Sequence, residues 1–263
     1  MNLKLRKDAL EIRHLVAAQA SDEVIEQAKQ KMISQIYQLA AYAFGEPPVD
    51  FTLEYRDDQH HYHRVPELTP HAFYEQYFTM QLRDYVVLTN APDHEYNQLY
   101  ALPSQDNVTG GLPIQFLNAP IEELKRTAIA QLQDGETVWF GNDVLQQRDR
   151  KRGLLDSKLF RRDELLDVDL SMSKADRLAS GQAEVTHAMT LTGVDLVNDQ
   201  PNRWKVENSW GEENGEKGYF VMTDQWFDDY TYEVVVNKKY LTPMLQHLAQ
   251  GPATVLPAWD SLQ

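Results

Sequence analysis

The sequence predicts a mixed α+β fold, in which helices gather in the first part of the chain and strands in the last. Apolar residues recur at helical spacing between residues 24 and 43, whereas the later segments are short and apolar or alternate as strands do. Helices and strands do not follow each other in a regular βαβ order. This segregation is typical of α+β proteins, and 263 residues are enough to bury a substantial core.

The early elements are marked by residues that cap helices or alternate along strands. Ser21 precedes two acidic residues, which favour the positive end of a helix dipole. Segments 51–55 and 61–65 alternate apolar and polar residues, which predicts a hairpin. Thr69 and Pro70 are predicted to begin a short helix, because proline is favoured at the first helical position.

The remaining elements are predicted to be mostly strands. Segments 85–89 and 137–140 are short and apolar, as is typical of buried strands. Segment 108–118 contains glycines and a proline and is predicted to be a loop. A helix over 121–132 and another that Ser173 caps interrupt the series. Four strands are then predicted in the last third of the chain, over 188–194, 204–208, 219–222 and 232–236.

Composition argues against several classes of function. Forty acidic against 25 basic side chains give a net charge of −15, which disfavours nucleic-acid binding by the whole surface. A local basic cluster at 148–152, with Arg161 and Arg162, is predicted to be a solvated loop. No apolar run approaches the ~18 residues of a membrane helix, and no apolar signal core follows the first basic residues. We therefore expect a cytoplasmic protein without a membrane partner.

The chain contains no cysteine, so it supplies no disulfide, no thiolate ligand for zinc and no thiol nucleophile. His60, His61 and His63 are candidate metal ligands, but strand alternation directs His60 away from the other two. Asp167 and Asp169 share a strand-like face without a partnered acid. We therefore predict surface or structural roles for these five residues, and no metal or cofactor.

Two segments of the last third have the residues of a catalytic pair. His187 opens the strand segment HAMTL, and Asn208 lies in the run ENSWG. A histidine at the start of a strand can project into a cleft, and an asparagine on a neighbouring strand can accept its ring N–H and fix its tautomer. Trp210 can shield that hydrogen bond from water. The pair suits a thiolate–imidazolium mechanism, while a purely structural histidine is the alternative.

These motifs resemble the second half of papain-like cysteine proteases, and more specifically the bleomycin hydrolase and bacterial aminopeptidase C branch. The resemblance extends over essentially the whole chain and is most specific between residues 186 and 239. It implies a papain-like fold, with a helical insert and the remainder of the first lobe in 1–110, a β-rich histidine lobe in 111–240 and a C-terminal arm in 241–263. It also implies a cytosolic homohexamer that removes N-terminal residues from peptides with Cys, His and Asn.

The resemblance further implies a role for each matched residue. His187 is expected to be the general acid and base, Asn208 to orient it, and Trp210 to shield the pair. The C-terminal carboxylate, on Gln263, is expected near the amine of the substrate, although the arm is a few residues shorter than is usual in the family.

Nothing in the sequence corresponds to the family's cysteine and oxyanion glutamine. We therefore expect the C-terminal part of such an enzyme, inactive alone, with a cysteine-bearing N-terminal half as its partner. The alternative is a non-catalytic peptide-binding or scaffold protein that retained the fold.

Overall fold

The protein is represented by a computed structural model that describes residues 1–78, 80–108 and 110–262. It forms two compact units, Met1–Met80 and Gln81–Gln263. The divisions expected at residues 110 and 240 differ from this one, because strands between residues 85 and 118 hydrogen-bond into the sheet that the later strands form. The three parts that the resemblance implies stay a prediction.

Several helices begin directly after a residue whose side-chain hydroxyl caps them. Ser21, Thr69 and Ser173 each accept a backbone N–H of the first turn, as expected for N-caps. Within the described ranges the α-helices are α1 (Asn2–Ala17), α2 (Asp22–Phe44), α3 (Pro70–Tyr77), α4 (Ile121–Gln133), α5 (Arg162–Leu166), α6 (Lys174–Ala179), α7 (Asp224–Tyr230) and α8 (Pro243–Leu248).

The strands form one hairpin in the first unit and one large sheet in the second. Within the described ranges they are β1 (Phe51–Arg56), β2 (Tyr62–Leu68), β3 (Tyr85–Thr89), β4 (Gln98–Ala101), β5 (Gln115–Asn118), β6 (Val138–Asn142), β7 (Arg148–Asp149), β8 (Leu154–Leu155), β9 (His187–Val197), β10 (Gln200–Glu207), β11 (Tyr219–Thr223), β12 (Thr231–Asn237) and β13 (Thr254–Val255).

The first unit consists of α1, α2, the antiparallel hairpin β1–β2 and α3. Helices α1 and α2 contact each other. Phe51 of β1 and Phe73 of α3 meet edge to face, with ring centroids 5.8 Å apart. The predicted hairpin and the helix that begins at Thr69-Pro70 are both confirmed.

The second unit is built on a sheet with the strand order β13-β4-β5-β3-β12-β6-β9-β10-β11-β8-β7. Strands β12, β6, β9, β10 and β11 are antiparallel neighbours at its centre. Alternate residues of these strands are fully buried, among them Phe140, Leu191, Trp204 and Val234. Helix α4 contacts β12 and β9 and buries Leu124 against this core. The sheet is therefore a rigid support for the residues at its strand ends.

The structure departs from the sequence-based expectation in two segments. The loop predicted over 108–118 contains β5, because four residues suffice for a strand when β3 and β4 supply partners on both sides. Two short helices, α7 and α8, follow strands in the region predicted to be β-rich, and Thr223 and Thr242 cap them. Among the described residues, no helix is long and apolar enough to cross a membrane.

Candidate active site

His187 lies at the first position of β9, where the strand enters the sheet. It pairs with Asn142 of β6, and the backbone N–H of Thr186 donates to the Asn142 carbonyl at 3.1 Å. Two residues further on, Met189 is buried in the core. The backbone ladder therefore fixes the point at which the half-buried imidazole leaves the chain.

Asn208 directly follows β10, the neighbour of β9, and forms the predicted hydrogen bond with His187. Its Oδ1 lies 2.9 Å from Nε2 of His187 and also accepts the backbone N–H of Ser209 at 2.8 Å. Because a backbone N–H can only donate, the shared atom must be the oxygen, and Nε2 must carry the hydrogen. The neutral ring therefore keeps its lone pair on Nδ1.

Trp210 packs against the imidazole of His187. Its ring stacks on the imidazole of His187, with centroids 4.9 Å apart, and meets Phe220 edge to face at 5.9 Å. The guanidinium groups of Arg148 and Arg150 lie over the indole at 5.2 and 5.0 Å from its centroid. The prediction of a merely solvated basic loop missed these two contacts, which no sequence spacing indicates.

The loop that presents Trp210 is held by Asn214, whose side chain is buried. Its Nδ2 donates to the Trp210 carbonyl at 2.6 Å, and its Oδ1 accepts from Nε of Arg150 at 2.6 Å. The backbone N–H of Asn208 donates to the Gly218 carbonyl at 3.0 Å, which closes the loop at its base. The indole is therefore positioned through both its ring and its backbone.

The chemistry that this arrangement supports is proton transfer at one ring nitrogen. Nδ1 of His187 can take a proton from an acid and return it to a leaving group, while Asn208 holds the opposite side of the ring. No cysteine is present in the sequence to act as a thiol nucleophile. Among the described residues, no group of three or more His, Cys, Asp or Glu side chains could hold a metal ion.

The other histidine and aspartate candidates lie away from this site in the chain. His61 and His63 both contact the carboxylate of Asp57, at 3.3 and 2.9 Å, and hydrogen bonds from His63 and His61 lower the pKa of Asp57. The strand-like face predicted for Asp167 and Asp169 is wrong, because Asp167 adopts a left-handed conformation (φ 51°) at the end of α5 and both residues are exposed.

The last described residues run along the edge of the sheet. Strand β13 pairs with β4, and the carboxylate of Asp260 lies 3.1 Å from Nε2 of His94. Burial lowers the pKa of His94, but Asp93 and Asp260 outweigh burial and raise it above its ordinary value. Gln263 lies outside the described residues, so the contact of its carboxylate with a substrate amine stays a prediction.

Two half-buried charged residues were missed by sequence reasoning. Lys174 donates to Asn90 Oδ1 at 2.7 Å and to the Thr231 carbonyl at 2.5 Å, and burial together with Arg177 lowers its pKa to about 7. Burial alone raises the pKa of Glu233 to about 7. One feature of the sequence could have indicated Glu233. Three valines follow it in a strand-like segment, where a carboxylate is unexpected.

Comparison with known proteins shows the family of this chain. The sequence profile of the Peptidase C1-like family matches residues 1–263. The chain belongs to the Peptidase C1-like family. It is 57% identical over 260 residues to aminopeptidase E of Lactobacillus helveticus, and 58% identical over 260 residues to aminopeptidase G of Lactobacillus delbrueckii subsp. lactis. Each alignment covers 98% of this chain and 59% of the relative, so the chain spans about three fifths of these proteins.

A solved structure confirms the fold class. The crystal structure of PepW from Lactobacillus rhamnosis HN001 superimposes with a TM-score of 0.95 at 50% sequence identity, covering 99% of this chain and 60% of that one. The α+β, papain-like fold predicted from the sequence is therefore confirmed, as is membership of the aminopeptidase branch. Relatives named aminopeptidase C, such as that of Lactobacillus helveticus at 42% identity, match the full length of this chain.

Proposed function

We propose that this Peptidase C1-like chain carries the histidine and asparagine of a cysteine-type aminopeptidase, and that it hydrolyses peptides when a cysteine-bearing segment completes the site. The observation that supports the proposal best is the hydrogen bond between Nε2 of His187 and Oδ1 of Asn208. It leaves Nδ1 as the free base, which is the atom that must face a thiol. The names of the relatives support peptides as substrates.

In this mechanism the thiol of the completing segment gives its proton to Nδ1 of His187. The thiolate attacks the carbonyl carbon of the scissile bond, and the leaving amine takes the proton back from Nδ1. Water then hydrolyses the thioester, with His187 as the base. Asn208 keeps the ring oriented through both steps, while Trp210 excludes water from the hydrogen bond that orients it.

The same reasoning predicts that the chain alone is inactive. A site without its nucleophile typically loses on the order of 10⁶ in rate. The resemblance also implies a cytosolic homohexamer for the completed enzyme, a state that sedimentation would measure. The competing function, a non-catalytic peptide-binding or scaffold protein, predicts binding of peptides without turnover even after completion.

Complementation tests the proposal directly. The chain is purified alone and together with a cysteine-bearing N-terminal segment of aminopeptidase E, and both are assayed with aminoacyl-arylamides. We expect turnover only in the complemented sample, lost in His187→Ala and retained in His14→Ala, a change in α1. Turnover by the chain alone that His187→Ala abolishes would contradict the proposal and require a different nucleophile. Peptide binding without turnover in a correctly assembled complex would support the scaffold alternative.

A further inference from the structure

The last described segment, residues 257–262, is held to the second unit by side chains rather than by the sheet. Strand β13 pairs with β4, and the backbone N–H of Leu256 donates to the Ala101 carbonyl at 2.9 Å. Beyond Leu256, the described residues form no backbone-to-backbone hydrogen bond with the sheet. Leu262 packs against a small buried cluster that includes Tyr232. The 257–262 segment can therefore leave the surface without breaking a strand ladder.

His94 lies between two carboxylates, one on the body of the second unit and one on the 257–262 segment. Its Nδ1 lies 3.1 Å from Oδ1 of Asp93, and its Nε2 lies 3.1 Å from Oδ1 of Asp260. Nδ1 of His94 and Oδ1 of Asp93 are buried, and neither has another partner among the described residues. The side chains of His94, Asp93 and Asp260 are 15%, 11% and 12% exposed, so solvent screens their charges only weakly.

The two contacts of His94 require a particular protonation state. Both ring nitrogens face a carboxylate oxygen, and a carboxylate can only accept a hydrogen bond. A neutral imidazole has one N–H and would turn the lone pair of its other nitrogen towards an oxygen. The imidazolium has two N–H groups and fits both contacts. Burial lowers the pKa of His94, but Asp93 and Asp260 outweigh burial and raise it above its ordinary value of 6.5.

The other titratable groups around His94 do not replace its positive charge. Tyr100 of β4 meets the ring edge to face, with centroids 5.4 Å apart, and burial raises the pKa of this phenol, which keeps it neutral. Glu95, the next residue in the chain, is exposed and adds negative charge. Within the described ranges, no lysine or arginine forms an ion pair with Asp93 or Asp260. Loss of the proton therefore leaves these two carboxylates without a counter-charge.

We propose that His94 is a pH-sensitive latch, which holds the 257–262 segment while its ring carries two N–H groups and releases it when the ring loses one. The docked state binds the proton more tightly than the released state. Docking is therefore strongest at low pH and weakens as pH rises through the raised pKa of His94. The hydrogen bond from Ser261 to Asp93, at 2.6 Å, links the segment to the unit in both protonation states.

Release of the segment has a structural consequence. Ser261 and Leu262 form part of the wall of a cavity of about 240 Å³, so their departure opens that side of the cavity to solvent. Glu233 lines the same cavity, and burial raises its pKa to about 7. Ionisation of Glu233 therefore favours the open cavity over a similar range of pH. This inference does not depend on the proposed peptidase function.

Hydrogen exchange of the purified chain tests the latch. Exchange of the amides of residues 258–262 is measured by mass spectrometry at about pH 5 and about pH 9, with correction for the intrinsic effect of pH on the exchange rate. We expect protection to fall at least about 10-fold at the higher pH, which corresponds to a difference of one pH unit between the pKa values of the docked and released states. Peptides from β9 should stay protected at both pH values, which excludes global unfolding as the cause.

Matched variants assign the effect to His94. In His94→Gln, which cannot carry a charge, protection of the 257–262 segment should no longer depend on pH. His247→Gln, at an exposed position of α8, is the control and should retain the wild-type dependence. Asp260→Asn should lower the titration midpoint of the His94 ring in ¹⁵N NMR, because it removes one of the two charges that stabilise the imidazolium. Melting curves check that each variant is folded.

Two outcomes would overturn the inference. One is equal protection of the wild-type segment at both pH values, and the other is a wild-type pH dependence in His94→Gln. The variant Glu233→Gln separates the two titrating groups. A pH dependence that disappears in Glu233→Gln and persists in His94→Gln would assign the switch to the cavity carboxylate and contradict the role of His94. Neither the presence nor the absence of peptidase turnover bears on these measurements.

Discussion

The proton on His187 is placed by three atoms in series: the N–H of Ser209, Oδ1 of Asn208 and Nε2 of His187. The backbone donor fixes the orientation of the amide, and the amide fixes the tautomer of the ring. At the residue scale, the orientation of the His187 ring therefore depends on the backbone N–H of Ser209. A pattern of side chains in the sequence does not reveal this contact. The functional consequence is a free Nδ1.

Replacement of Asn208 by alanine should remove the preference of the His187 ring for hydrogen on Nε2. We expect ¹⁵N NMR of the imidazole to show a mixed population with hydrogen on Nδ1, where the wild type carries it on Nε2. A neutral hydrogen bond contributes about 1 kcal/mol, so the complemented enzyme should lose roughly 5-fold in kcat. Asn202→Ala, which removes the hydrogen bond from Asn202 of β10 to Asp195 of β9, is the control and should change neither quantity. An unchanged tautomer in Asn208→Ala would disprove the positioning role.

Glu233 should make the stability of the chain depend on pH. Its pKa is raised from the ordinary value of 4.5 for a glutamate carboxyl to about 7 in the fold, so the folded state binds the proton more tightly than the unfolded state. The group is therefore neutral and harmless at low pH, and it destabilises the fold progressively as pH rises from about 4.5 to about 7. A shift of this size corresponds to about 3 kcal/mol above that range.

Glu233→Gln should accordingly stabilise the chain by up to about 3 kcal/mol at pH 8 and by little at pH 4. Denaturant unfolding at both pH values measures the difference, with Glu184→Gln, at an exposed position of the second unit, as the control. A gain that is equal at the two pH values would show that ionisation of Glu233 is not the cause.

How far the sequence predicts the site depends on what each residue contacts. His187, Asn208 and Trp210 were predictable, because a strand start and a strand end on neighbouring strands bring short motifs together. Glu233 was not, since its environment depends on Gly141 and Val185, which approach it from other segments. Arg148 and Arg150 were assigned to a solvated loop for the same reason: their contact with Trp210 exists only in the folded loop.

At the scale of elements, two glycines in contact position the loop that carries Trp210. Gly215 adopts φ +64°, and a Cβ there would lie 2.9 Å from Phe220 Cδ1 and 3.1 Å from the Cα of Gly153. Gly215→Ala therefore combines backbone strain with a collision against backbone, and we expect it to lower the free energy of unfolding by about 3 kcal/mol or more. Gly181→Ala is the matched control, because Gly181 also has a positive φ (+70°) but no atom within 4 Å of the added Cβ. It should cost only about 1 kcal/mol in the same denaturant experiment, and equal costs would contradict the close-packing explanation.

The elements themselves were predicted well where the signal is local. The caps Ser21 and Ser173 and the apolar period of α4 are short-range features, and the structure contains each helix they indicate. Strand β5 was missed, because its four residues form a strand only through partners more than a dozen residues away in the chain. Helices α7 and α8 are too short to show a period of 3.6 residues.

At the scale of the whole molecule, both units carry exposed apolar side chains. In the second unit Trp139 of β6 is 44% exposed and Val185 is 42% exposed. In the first unit Tyr42 and Phe44, at the end of α2, are 80% and 88% exposed. Exposed apolar side chains of this kind are available for a partner to cover. They are also consistent with our proposal that a further segment completes the site at His187.

The purified chain should therefore bind hydrophobic dyes or self-associate, and the cysteine-bearing segment should suppress both effects. A partner that binds only the folded state stabilises it by mass action, by about 2.7 kcal/mol at one hundred times its dissociation constant. Melting curves, dye fluorescence and hydrogen exchange of residues 138–142 are measured with and without the segment. A segment with its cysteine replaced by serine is the control: it should stabilise the chain equally while giving no turnover, because burial of apolar surface does not require the thiol. Cooperative melting of a monomer without dye binding, unaffected by the segment, would instead show a self-sufficient domain and favour the scaffold function.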